Sequence, residues 1–227
     1  GSSITITKRF DFKLFGQLTR ITIPNTVTNI DTNSFSGLSN LQEIVIPNSV
    51  ISIGDNSFYG CSSLKELNIP NSVITIGKKS FYGCTSLKEL NIPNSVTQID
   101  DNCFYGCSSV THVSLPESIS SIGKQCFYEC SSIKELIIPE LVTSIKDYTF
   151  YRCKSLIKLK MSSLTESIGI YSFSECSSLE QILIPSLVKM IPSSAFTGCK
   201  NLKEITIDPY LTKFEKNTFT SSPLIKY

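Results

Sequence analysis

The sequence predicts a single α/β repeat solenoid. Two observations carry the prediction: one unbroken 23-residue period, and inside each period an apolar alternation that stops at proline. Phe12, Phe35, Phe58, Phe81, Phe104, Phe127, Phe150, Phe173, Phe196 and Phe219 stand on one ruler, ten of the thirteen phenylalanines. Proline keeps the same spacing at Pro24, Pro47, Pro70, Pro93, Pro116 and Pro139, skips Ser162, and returns at Pro185. Cysteine keeps it from Cys61 to Cys199, and no insertion breaks the register. A fixed period of this length marks stacked units that share one core.

One unit runs from Leu41 to Cys61. Ile44-Val45-Ile46 alternates inward and outward, as a half-buried strand does. Pro47 has no N–H and closes the strand. Val50 and Ile53 predict a second short extended piece. Gly54-Asp55-Asn56-Ser57-Phe58-Tyr59-Gly60 places Asp and Asn early and Gly late, which predicts a short capped helical turn, α or 3-10. No unit buries its apolar face alone, so neighbours stack and equivalent residues form ladders. Nine strand motifs begin at Leu18, Leu41, Leu64, Leu87, Val110, Ile133, Leu156, Leu179 and Leu202. These define coils one to nine. At about 4.8 Å per strand they predict a sheet roughly 43 Å long. Residues 17–227 read as this continuous solenoid. Residues 1–16 read as a partial N-terminal coil, with Gly1-Ser2-Ser3 as a cloning scar, and the whole as one domain.

Composition removes several function classes. The chain has 227 residues, 41% hydrophobic and 18% charged, enough apolar matter for a core. Its net charge of +2 excludes a bulk polyelectrolyte, so no nucleic-acid partner is expected. No apolar run reaches the roughly 20 residues of a span, so no membrane insertion is expected.

The run Cys61-Ser-Ser-Leu64-Lys-Glu-Leu67-Asn-Ile69-Pro70-Asn-Ser-Val73-Ile-Thr-Ile76-Gly77-Lys-Lys-Ser-Phe81 resembles the BspA-like leucine-rich repeat family. The Cys103-Phe104 and Cys126-Phe127 pairs resemble its protist branch more than its bacterial one. The resemblance implies a right-handed leucine-rich repeat solenoid with parallel strands on the concave face and short extended and helical turns on the convex side. It implies macromolecule binding without catalysis. Coil seven departs from the pattern at Met161-Ser162-Ser163-Leu164-Thr165, where local distortion is expected.

Seven of the nine cysteines share one column. Stacked neighbours keep their Cβ atoms about 4.8 Å apart, beyond the usual disulfide range, so a ladder of reduced thiols is expected. Free thiols favour a reducing compartment. A cytoplasmic location follows as the expectation, with the cell surface as the alternative. Cys103, Cys107, Cys126 and Cys130 invite a zinc reading, but two of them fall in a column of small residues with Ser57, Ser80 and Ala195. No metal and no cofactor are expected.

His112, the one histidine, falls in an outward strand column and has no cysteine on its face. No catalytic or nucleotide-binding motif is present, so no enzyme is expected. Two surfaces are candidates for a protein partner. One is the stripe Glu43, Glu66, Glu89, His112 and Glu135, flanked by Lys65, Lys88 and Lys134, which reads either as a solvated mixed-charge face or as a docking strip. The other lies on coils six to eight. There the serine column Ser49, Ser72, Ser95, Ser118 becomes Leu141, Leu164 and Leu187, while Ile137, Ile157 and Leu183 replace polar strand residues. This cluster reads either as an interface, for a partner or a homo-oligomer, or as an altered core in which Leu164 takes the inward slot from Thr165. Tyr59, Tyr82, Tyr105, Tyr128 and Tyr151 form a convex stripe over the phenylalanines. The expected function is an intracellular, non-catalytic protein-interaction scaffold. By analogy with other leucine-rich repeat proteins, its partner would be a signalling enzyme such as a protein phosphatase, or a cytoskeletal protein. The alternative is a cell-surface adhesin binding host or matrix proteins.

Overall fold

The computed structural model describes residues 3–5, 17–208 and 212–222. Residues 1–16, read as a partial coil, lie outside the described residues apart from Ser3–Thr5, a strand that pairs in parallel with Arg20–Thr22. Phe12 lies outside them as well.

The chain winds as a right-handed, parallel-stranded β-solenoid. Each full coil contributes to two strand ladders. The first holds three-residue strands such as Glu43–Val45, Glu89–Asn91, Glu135–Ile137 and Gln181–Leu183. The second holds two-residue strands such as Ser52–Ile53, Thr75–Ile76 and Ser144–Ile145. Every pairing after the first is offset by one period, as in Glu135↔Lys158 and Ser52↔Thr75. Between the ladders the proline turns the chain. The Pro47 carbonyl accepts the Val50 N–H at 3.1 Å, and the same turn recurs from Pro24 to Pro185.

The convex segment is not helical. Among the described residues there is no α-helix and no 3-10 helix, which corrects the expected helical turns. The reason is where the N–H groups go. A helix keeps them inside the segment. Here alternate residues export them to the next coil: Asn56 N–H to Lys78, Phe58 N–H to Ser80, and Gly60 N–H to Tyr82, at 2.7–2.8 Å. Only the intervening N–H groups bond locally, three residues back, as Tyr59 does to Asn56. Two columns also sit at positive φ in coil after coil. One runs Asn33, Asn56, Lys79, Asn102, Gln125, Tyr148, Tyr171 and Ser194; the other runs through Gly60, Gly83 and Gly106. Asn and Gly tolerate this left-handed geometry, and a right-handed helical run cannot pass through it.

The core is a set of ladders. The nine phenylalanines from Phe35 to Phe219 stack with ring centroids 5.1–5.8 Å apart and interplanar angles of 18° or less. This is offset stacking between rings that also fill the core. Each column cysteine donates its thiol to the carbonyl of the preceding coil's phenylalanine, at 3.1–3.3 Å, from Cys61 to Phe35 through Cys199 to Phe173. Ser222 stands one period after Cys199 and makes the same bond to Phe196.

Coil seven keeps its turn. Ser162 replaces proline, yet its carbonyl accepts the Thr165 N–H at 3.1 Å, and its hydroxyl donates to the Glu140 carbonyl at 2.7 Å. The departure shows instead in the strand, where pairing with coil eight thins to Lys158↔Gln181. The first ladder breaks in two other places, between His112–Ser114 and Glu135–Ile137 and at coil three. On coil three the strand motif holds only one bridge, Glu43↔Glu66, and residues 66–68 form no ladder with Glu89–Asn91. The Phe81–Phe104 stack crosses the same two coils at 5.6 Å, so the break does not reach the phenylalanine ladder.

A phenylalanine in mid-ladder supports neighbours on both sides. Phe104→Ala is expected to cost about 3–5 kcal/mol in urea denaturation. Phe219→Ala, where the ring is only partly buried, should cost clearly less.

Candidate protein-binding surface

The outward residues of the first ladder build the candidate surface. Alternation along each strand buries Leu90, Val113 and Leu136 and turns Glu89, His112 and Glu135 out. Glu43 is half-buried and lies 3.2 Å from the Arg20 guanidinium. Glu66, Glu89, His112 and Glu135 are exposed, and Glu89 pairs in register with His112. The stripe therefore forms one row along the ladder, with strand pairing interrupted between Glu66 and Glu89 and between His112 and Glu135. Where the ladder breaks, a half-open cleft of about 700 Å³ forms between coils three and four, lined by Lys65, Glu66, Asn68, Lys88, Glu89 and Asn91 among others. Sequence reasoning did not find this cleft.

All six residues of the apolar cluster lie outside the core, from 41% exposed at Leu187 to 64% at Ile137. Thr165 fills the inward slot of coil seven, fully buried, while Leu164 stays 44% exposed. The altered-core reading therefore fails. The serine column shows what the leucines replace. Ser49, Ser72, Ser95 and Ser118 are half-buried, and each hydroxyl donates to a valine carbonyl of the preceding coil. A leucine there gives up that bond and exposes an isobutyl group, so the exchange does not serve the fold.

The tyrosine stripe stacks at 4.3–4.7 Å from Tyr59 to Tyr151. Arg152 sits over the Tyr151 ring and reaches Glu129 at 2.9 Å. Partial burial pushes the Tyr82 phenol up, and partial burial with the hydrogen bond to Tyr128 raises that of Tyr105.

All nine cysteines are free and buried. Burial pushes the Cys61 and Cys103 thiols up to about 12 and holds the Cys84, Cys107 and Cys153 thiols well above the ordinary 9.0. Cys103 shares a 3.2 Å contact with the Ser80 hydroxyl. Among the described residues no group of three or more His, Cys, Asp or Glu side chains is arranged to hold a metal ion. Nor is any helix among them long and apolar enough to cross a membrane.

Together these features define a curved repeat solenoid suited to protein–protein binding. The chain belongs to the BspA-type leucine-rich repeat family: the profile of that repeat region, in six copies, matches residues 5–113 and 97–226. Members of the family are characteristically non-catalytic scaffolds, and this chain is not an enzyme. Among solved structures it is similar to a leucine-rich repeat protein of T. pallidum, at 28% identity and a TM-score of 0.68, covering 78% of this chain and 82% of that one. It is similar to a leucine-rich repeat protein from Bacteroides ovatus, at 25% identity and a TM-score of 0.53, covering 97% and 76%. It is also similar to a leucine-rich cell-surface protein from Faecalibacterium prausnitzii, at 25% identity and a TM-score of 0.52, covering 99% and 82%. No curated protein matches the chain.

The last of these similarities overturns the cytoplasmic expectation, and the intracellular regulator goes with it. The physical ground for that expectation falls too. A thiol that is buried and cannot ionise stays reduced in an oxidising medium, because the thiolate is the reactive form. Reduced cysteines here report burial and not compartment.

The same burial sets a pH dependence. Thiols raised from 9.0 towards about 12 keep their protons in the folded state while unfolded thiols lose theirs. Their contribution to stability is whole below pH 9 and is lost as pH rises from 9 through 12. Denaturant midpoints should fall across that window and be nearly flat, as far as the thiols contribute, just below it. An iodoacetamide assay at pH 8 should find all nine thiols unreactive until the chain unfolds.

Proposed function

We propose that the chain is a cell-surface adhesin that grips a host or matrix protein through the outward residues of its first ladder. The observation that carries this reading is the cleft of about 700 Å³ where the acidic stripe meets the ladder break. Two repeats of the same set, Lys65-Glu66-Asn68 and Lys88-Glu89-Asn91, face into it. Carboxylates and ammonium groups one coil apart, with amides beside them, suit a basic or alternating-charge protein segment better than an apolar one. Glu43, His112 and Glu135 extend the row beyond the cleft. The similarity to a cell-surface protein supports the location.

Rigid display is the mechanism. The stacked coils hold these side chains before any partner arrives, so little conformational entropy is lost on binding. Labelling of intact, unpermeabilised source cells should reach the protein, and protection until permeabilisation would sink the reading. On immobilised host and matrix proteins, Glu66→Lys with Glu89→Lys should weaken binding at least tenfold. The wild-type interaction should also weaken as salt rises.

A further inference from the structure

The apolar cluster on coils six to eight has an internal symmetry. Take a two-fold axis that lies in the surface and runs along coil seven. It exchanges coil six with coil eight and keeps each position along the coil. Glu135, Lys158 and Gln181 stand in one row, and Ile137 and Lys160 in the next, with Leu183 one period on. Ile137 therefore exchanges with Leu183, and Leu141 with Leu187. Ile157 and Leu164 lie on the axis. These six exposed apolar residues thus map onto one another, whereas Met190, also exposed on coil eight, exchanges with Ser144.

Charge follows the same operation. Lys134 exchanges with Glu180, one position before the strand on each side. Both are exposed; Glu180 also lies 3.6 Å from Lys203 of its own chain, an exposed pair that can be shared or exchanged. The equivalent pair elsewhere has no such relation: Lys65 and Thr111 flank coil four, and Gln42 and Lys88 flank coil three. Lys158 and Lys160 approach their own copies across the axis, an unfavourable contact. Glu135 stands beside Lys158 in the ladder and offsets part of it.

We infer that this face pairs with a second copy of the same chain in a two-fold dimer. An isologous interface must be self-complementary, each contact occurring twice with partners exchanged. This cluster meets that condition in its six apolar residues and in the Lys134–Glu180 pair, with Lys158 and Lys160 as the like-charge exceptions. The serine-to-leucine column explains itself on this reading: three carbonyl staples are given up to place three leucines against three leucines. The stripe from Glu43 to His112, on coils two to five, lies beyond the three coils so covered.

The test is sedimentation of the purified chain together with directed cross-linking. The wild type should sediment at twice its 25.1 kDa at about 0.1 mM, within the range of weak specific association. Leu141→Asp with Leu187→Asp should give a monomer with an unchanged melting transition. Lys134→Glu should weaken the dimer and Lys134→Glu with Glu180→Lys should restore it. Leu164→Cys places a thiol on the axis, and oxidation should link two chains through it, since the native thiols are buried. Ile51→Cys, exposed but away from the face, should not link. A wild-type monomer at that concentration overturns the inference. So does a dimer that survives the double aspartate variant, or one that Leu164→Cys fails to link.

Discussion

Each coil of this protein satisfies its backbone through the coil beside it. Phe58, Asn56 and Gly60 send their N–H groups to the next coil, and the proline, cysteine and serine columns close the remaining carbonyls. A buried amide left unpaired costs of the order of 1–3 kcal/mol, and every coil carries several. That requirement fixes the 23-residue spacing. An inserted residue would shift every donor off its acceptor over the one period that spans it. Register is therefore the constraint, and the phenylalanine ladder is what fills the space the register leaves.

The columns were legible because each uses one residue type for one task. Phe fills, Pro turns and Cys caps a carbonyl; Phe and Cys recur without a gap along their columns, and Pro skips Ser162. The convex segment was misread because Asp-Asn early and Gly late suits a helix cap and a left-handed β-turn alike. What separates the two is the destination of the N–H groups, and that lies on the next coil, outside any local window. Coil seven misled in a different way. Thr165 matches valine in shape, and its hydroxyl reaches the Val142 carbonyl at 3.5 Å, so the slot accepts it. The break at coil three was beyond sequence altogether. Lys65-Glu-Leu-Asn-Ile-Pro and Lys88-Glu-Leu-Asn-Ile-Pro are the same six residues, yet only the second forms a paired strand, with His112–Ser114. Local identity cannot encode that difference; the stacking of whole coils does.

Compartment is where chemistry and composition part. Nine cysteines without a disulfide suggest a reducing environment only if the thiols can react. These sit in the core with their protons held well above the ordinary range by burial. The task of the seven in the column is a hydrogen bond to a phenylalanine carbonyl, which serine also makes at Ser222. A ladder built this way works on either side of a membrane.

Under the two proposals together, the candidate surfaces divide the work along the solenoid. Coils two to five carry charge, amides and the cleft; coils six to eight carry leucine and isoleucine. An apolar face joined to its own copy leaves the polar row of each chain from Glu43 to His112 uncovered, so the assembly presents two rows held at fixed separation. Two weak contacts on one rigid body then act with the effective concentration of a linked pair, which raises avidity by about 10²–10⁴ without new contacts if both can engage at once. For an adhesin facing a repetitive matrix this matters more than the strength of either row. A single exposed mixed-charge strip binds weakly and loses ground to salt. Pairing two such strips is the means the surface residues offer for making that weakness hold.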